Sequence, residues 1–114
     1  MSIKIERISS EMVKQLSYIL ATEIKDNDIK FVTVTDCKVS SVLSFAKVFV
    51  TVFDRNKIKS TIAALNNASG FIRKMLADRI DIRHIPELTF VYDESIEYGK
   101  NIENIIEKIH NNEQ

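Results

Sequence analysis

Cysteine, glycine, proline and tryptophan are nearly absent: one, two, one and none in 114 residues. With Cys37 alone, no internal disulfide and no cysteine-based zinc site can form, which fits a reducing, cytoplasmic setting. Two glycines, Gly70 and Gly99, are too few for a glycine-rich phosphate loop. No 18 apolar residues run together, so no membrane-spanning helix is predicted. The opening Met1–Arg7 has no apolar core, so no secretory signal is expected. Charge of one sign is also missing, since 16 Lys and Arg balance 16 Asp and Glu.

What is present describes a globular chain. Apolar residues make up 45% and charged residues 28%, enough to bury a core and too apolar for disorder. The length suits a single domain over 1–114, burying roughly 65% of the surface its unfolded chain exposes. The neutral total hides a dipolar distribution. Residues 31–80 hold eight basic and three acidic side chains, whereas residues 81–114 hold three basic and eight acidic. A cationic face can therefore coexist with an acidic C-terminal stretch.

Periodicity sets out the elements. Met12, Val13, Leu16, Ile19, Leu20 and Ile24 recur at helical spacing within residues 3–25, and Asp26-Asn27-Asp28 ends that helix. Phe31 to Ser40 is rich in β-branched residues, with an alternation that slips at Thr35-Asp36 and predicts a bulge. In the next strand Ala46, Val48, Val50 and Val52 share one face, and Phe45, Lys47, Phe49, Thr51 and Phe53 share the other. The first face must meet helices. Ile58, Ile62 and Leu65 mark one helix, and Ile72, Met75, Leu76 and Ile80 a second. Asn66-Asn67-Ala68-Ser69-Gly70 between them predicts a kink or tight turn. Pro86 introduces a strand over Leu88–Tyr92, and Asp93 is a good N-cap for a last helix over about 94–110. The expected fold is α+β, in the order α-β-β-α-(kink)-α-β-α. Its three-stranded mixed sheet is expected in the order 2-1-3, with the third strand parallel to the first and the helices on one face.

Particular segments carry a family resemblance. The runs Ala68-Ser69-Gly70-Phe71-Ile72-Arg73 and Arg83-His84-Ile85-Pro86-Glu87-Leu88-Thr89-Phe90, with Tyr92-Asp93, closely resemble the ribosome-binding factor A family. Ala46-Lys47-Val48-Phe49-Val50-Thr51 and the opening from Arg7 to Asp26 are similar to the same family, so the likeness spans roughly residues 7–98. The resemblance implies a type II KH-like domain and a non-enzymatic, monomeric assembly factor. It further implies binding to the immature small (30S) ribosomal subunit and its 16S ribosomal RNA, late in maturation, with a link to growth in the cold. Ordinary KH domains clamp the nucleic-acid backbone with a Gly-x-x-Gly loop. Here the kink Ala68, Ser69, Gly70 stands in its place, which favours recognition of folded RNA by backbone and shape.

The candidate RNA-binding residues are Lys47, Arg55, Lys57, Lys59, Ser69, Gly70, Arg73, Lys74, Arg79 and Arg83. Arg73 and Lys74 follow Gly70 by one turn, where a helix N-terminus suits phosphate, and Ser69 can cap that helix or donate to phosphate. Arg55, Lys57 and Lys59 flank the preceding helix start, and such clusters neutralise phosphates without reading sequence. Arg79 and Arg83 bracket the loop before Pro86, and Lys47 projects from a strand face. Each of these cations also has a plainer reading as solvated surface charge. His84 is expected on the loop or the RNA surface, and Cys37 as a buried, inert thiol. No catalytic residue, metal site, cofactor or small-molecule substrate is expected, since capping accounts for Asp93, Glu94 and Glu97. Two other functions remain open. An acylphosphatase-like hydrolase would need an arginine–asparagine pair around a phosphate loop, and a protein adaptor would use the acidic C-terminal helix.

Overall fold

The computed structural model describes residues 3–29 and 31–95, so the helix expected over about 94–110 lies outside the described residues beyond Ser95. The elements are α1 (Ile3–Thr22), β1 (Val32–Val39), β2 (Phe45–Val52), a 3-10 turn (Arg55–Lys57), α2 (Ile58–Asn67), α3 (Ser69–Ala77) and β3 (Glu87–Tyr92). Through β3 this is the predicted succession, folded as a mixed α+β layer pair.

Helix α1 forms because its apolar residues recur every three or four positions, making one stripe along its length. Met12, Leu16 and Ile19 on that stripe are fully buried, and Ile8 and Leu20 nearly so. They pack against the inner face of the sheet, where Val34, Cys37, Ala46, Val48, Val50, Leu88 and Phe90 are buried in the same cluster. Leu65 of α2 and Ile72 and Leu76 of α3 complete that core from the helix side. All three helices therefore cover one face of the sheet. The other face carries Phe45, Lys47 and Thr89 exposed to solvent.

The strand order is β1-β2-β3 rather than the expected 2-1-3. Strand β1 pairs antiparallel with β2, and β3 pairs parallel with β2, with Val48 opposite both Cys37 and Phe90. Two physical reasons correct the expectation. A helical crossover joins parallel neighbours, and the α2–α3 crossover leaves from β2, so β3 returns beside β2. The register also shifts between Val34 and Asp36, the predicted bulge, and bulges belong at sheet edges. The unbroken β2, with Val48 and Val50 fully buried, takes the centre.

Short-range bonds fix the connections. In the β1–β2 loop the Ser40 hydroxyl accepts from the amides of Ser44 and Phe45, both at 3.1 Å. Leu43 adopts a positive φ of 59° there, and its side chain packs against the core cluster in return. Asp54 caps the 3-10 turn by accepting from the Asn56 amide at 3.0 Å. Past β3, Asp93 accepts from the Ser95 amide at 3.0 Å and from the Ser95 hydroxyl, while the helix it is expected to cap lies outside the described residues. The Ser95 and Thr35 hydroxyls hold the Asp93 carboxyl below its ordinary pKa. Burial, with help from the Asp36 charge, pushes the Cys37 thiol up to about 12, leaving it the inert core residue expected.

Asn66 does something no periodicity announced. Its Nδ2 donates to the Phe90 carbonyl at 3.0 Å, and its Oδ1 accepts from the Phe90 amide at 2.8 Å. A side-chain amide thus occupies both backbone groups that Phe90 of β3, an edge strand, turns away from β2. It ties the end of α2 to the sheet and blunts that edge.

Candidate nucleic-acid interface

The helical crossover bends at one residue. Ala68 leaves helical geometry (φ −90°, ψ 3°), yet its amide still donates to the Ala64 carbonyl and its carbonyl accepts from the Ile72 amide. The chain therefore changes direction without losing its hydrogen-bond path. No side chain caps α3, so Ser69, half-buried, does not take the capping role open to it. The amides of Ser69, Gly70 and Phe71 form the first turn of α3, and such amides have no acceptor within their helix.

Gly70 is exposed, and a Cβ built on it meets nothing within 4 Å. Its φ is not positive, so neither local conformation nor internal packing demands glycine. The missing side chain matters only to something approaching from outside. Replacing Gly70 with alanine is expected to raise stability by about 0.5 kcal/mol, because alanine favours the helix and restricts the unfolded chain. The same change should weaken binding to any ligand that seats on this turn. Thermal melts and binding isotherms moving in opposite directions would establish both.

A cleft opens beside this turn, lined by Gly70, Arg73, Lys74, Ala77 and the segment Ile82–Ile85. It joins α3 to the loop that leads into β3. A second hollow shares Ile82, Arg83 and His84 and continues to Lys4 and Ile8 of α1 and to Val42 and Leu43 of the β1–β2 loop. Arg83 and His84 form the ridge between them. The first cleft is lined by three cationic side chains and a histidine, with no carboxylate. Concave shape, cations of one sign and a helix N-terminus together suit a phosphate oxygen.

The three cations of the cleft have different duties. The Nε and Nη2 of Arg73 both donate to the Ile85 carbonyl, at 3.0 and 2.6 Å. Its Nη2 also lies 3.4 Å from His84 Nε2. Arg73 is therefore a clamp that holds the Arg83–His84 ridge against α3, and it keeps its positive charge at the cleft. Lys74 and Arg83 are exposed, and neither meets an acidic partner among the described residues. Arg73→Ala is expected to cost about 1–2 kcal/mol, and Arg73→Lys should recover only part, since one ammonium does not reproduce a planar two-point contact. Denaturant melts of the two variants read this directly.

The remaining candidates lie elsewhere. Arg79 pairs with Glu23 at 3.2 Å and stacks 4.5 Å over the Tyr18 ring, which turns it toward α1. Arg55, Lys57 and Lys59 stand at the start of α2, about 15 Å along that helix from the Ala68 bend for ten residues at 1.5 Å each. Lys47 is exposed on the open face of the sheet, which the described helices do not reach. The ten candidates thus divide among four places. Gly70, Arg73, Lys74 and Arg83 come together with Ser69 at the bend. His84 belongs with them, and its position beside Arg83 in the segment before Pro86 was the available signal. Nothing in the sequence pointed to Ile85, whose carbonyl anchors the clamp.

Comparison with known proteins supports one family throughout. A family model described as ribosome-binding factor A matches residues 4–106. Ribosome-binding factor A of Staphylococcus epidermidis is 42% identical over 114 residues, covering 99% of this chain and 98% of that relative. The crystal structure of ribosome-binding factor A from Thermus thermophilus superposes with a TM-score of 0.70 at 22% identity, over 77% of this chain and 94% of the other, and shows the shared fold. A homology model of the Thermus thermophilus protein, fitted into the cryo-EM map of its complex with 30S, matches with a TM-score of 0.58 at 26% identity, over 74% and 93% of the two chains. With the family model spanning nearly the whole sequence and a relative this similar from end to end, the chain belongs to the ribosome-binding factor A family.

Proposed function

We propose that this chain acts as one ribosome-binding domain that docks on the maturing small ribosomal subunit by seating backbone phosphates of folded RNA in the cleft at the Ala68 bend. The observation that carries the reading is the cleft itself. Lys74 and Arg83 project into a hollow without carboxylates beside the first turn of α3, and Arg73 holds the hollow's two walls together. A relative fitted into a 30S complex supports the choice of partner. On this reading the RNA is 16S ribosomal RNA, and the protein works late in its processing as a monomeric, cytoplasmic, non-enzymatic factor that matters most in the cold. Arg55, Lys57 and Lys59 add a second phosphate contact at the far end of α2. Arg79, engaged with Glu23, contributes least.

Phosphate contacts that release counterions make affinity fall steeply with salt. About four neutralised phosphates predict a slope near −3 for log affinity against log salt, so a fourfold rise in salt weakens binding by somewhat under 100-fold. Titrating purified immature small subunits at several salt concentrations measures that slope. A flat dependence would refute phosphate docking and favour a protein adaptor.

A further inference from the structure

Of six phenylalanines in the chain only Phe90 is buried in the core. Phe45 is 61% exposed in the central strand, and Phe53, one residue beyond that strand, is 83% exposed. Phe31 is 78% exposed and meets the Phe53 ring at 6.0 Å between centroids. Phe49 sits between them on the same alternation, with the Lys38 ammonium 5.4 Å from its ring centre. The fold places these rings on the sheet face that the described helices leave open. An exposed aromatic surface of this kind marks a binding site, because apolar area left in water is unfavourable.

Charge on the face identifies what it takes. Lys38 and Lys47 are direct cross-strand partners, and Thr89 continues the row on β3. Like charges placed opposite each other are destabilising, and an anion lying between them removes the penalty. The face also holds two carboxylates: Asp36 is turned back to accept from the Cys37 amide at 2.8 Å, and Glu87, the cross-strand partner of Phe45, opens edge strand β3. Protein-binding patches are depleted of lysine at their centre. Surfaces that hold single-stranded nucleic acid instead interleave aromatic rings with cations, so that bases stack while phosphates pair.

We infer that the open face of the β1-β2-β3 sheet is a second RNA site that takes an extended single strand, with a base stacked on Phe45 and a phosphate between Lys38 and Lys47. It lies on the opposite side of the sheet from the helices that form the phosphate cleft, and it stands or falls independently of that cleft. The probe is a fluorescently labelled oligouridylate of about ten nucleotides, within the usual site size for single-strand binders. Anisotropy titration of the full chain should show saturable binding. Phe45→Ala should weaken it by about 5- to 100-fold, the range for losing one stacked base, and Phe45→Trp should restore it. Exchanging Lys38 and Lys47 together for alanine should lower the salt slope by roughly 1. In the Lys74→Glu, Arg83→Glu background, Phe45→Ala should still weaken oligomer binding by the same factor. Equal affinity for wild type and Phe45→Ala, no oligomer binding at all, or a loss confined to the Lys74 and Arg83 changes would each overturn the site, the last while sparing the cleft. Loss of subunit affinity on Phe45→Ala, with oligomer binding absent and the salt slope unchanged, would make the face a protein contact and equally overturn it.

Discussion

Reversing Lys74 and Arg83 to glutamate together is expected to reduce affinity for immature small subunits on the order of 100-fold at moderate salt while leaving the melting temperature nearly unchanged. Both side chains are exposed and meet no acidic partner among the described residues, so their loss costs the folded state little. On the proposed reading, their contribution is made when a phosphate arrives. With about four phosphates behind a slope near −3, removing two should halve it to roughly −1.5. Reversal adds repulsion, which is why glutamate should exceed alanine. The Gly70→Ala change works on the same turn by shape alone, and it should weaken binding without altering the slope. A double reversal that binds normally, with the slope intact, would remove the cleft from the mechanism whatever the family.

The largest expected effect on stability is at Asn66. Asn66→Ala leaves the amide and carbonyl of Phe90 without their partner beneath α2, beside a side chain that is 1% exposed. Stranding buried backbone groups costs about 1–3 kcal/mol each, so the variant should lose roughly 2–4 kcal/mol and melt roughly 10 °C lower. Asn66→Asp is the sharper test. The carboxylate still accepts from the Phe90 amide but faces the Phe90 carbonyl with no proton to donate. It should therefore be at least as destabilising as alanine at neutral pH and recover partly when the carboxyl is protonated in acid. Equal melting temperatures for wild type, Asn66→Ala and Asn66→Asp would show that the contact to Phe90 does not hold α2 to the sheet.

Local pattern was enough for the elements. The stripe of Met12, Leu16 and Ile19, the two-residue alternation from Phe45 to Phe53 and the slipped alternation at Thr35-Asp36 each depend on neighbours along the chain. Backbone geometry converts them directly into a helix face, a strand face and a bulge. The bend at Ala68 was legible for the same reason, since asparagine, serine and glycine together weaken a helix wherever they stand. Strand order was not legible in this way. It depended on which strand could tolerate an edge, and along the chain the bulge that decides it shows only as a local irregularity of β1.

Sequence by itself determined the succession of α and β elements, the apolar faces, the bend and, through resemblance, the family. Tertiary structure alone decided which cations lie together. Lys74 and Arg83 lie nine positions apart along the chain and share one hollow, because Arg73 draws the Ile85 carbonyl onto α3. Arg79 stands closer to Lys74 in sequence, yet Glu23 and Tyr18 hold it toward α1. The physical reason is that charge patterning along a chain records only sign and spacing. Whether a cation is free to meet phosphate depends on the long-range contacts that surround it, and those exist only after the chain has folded.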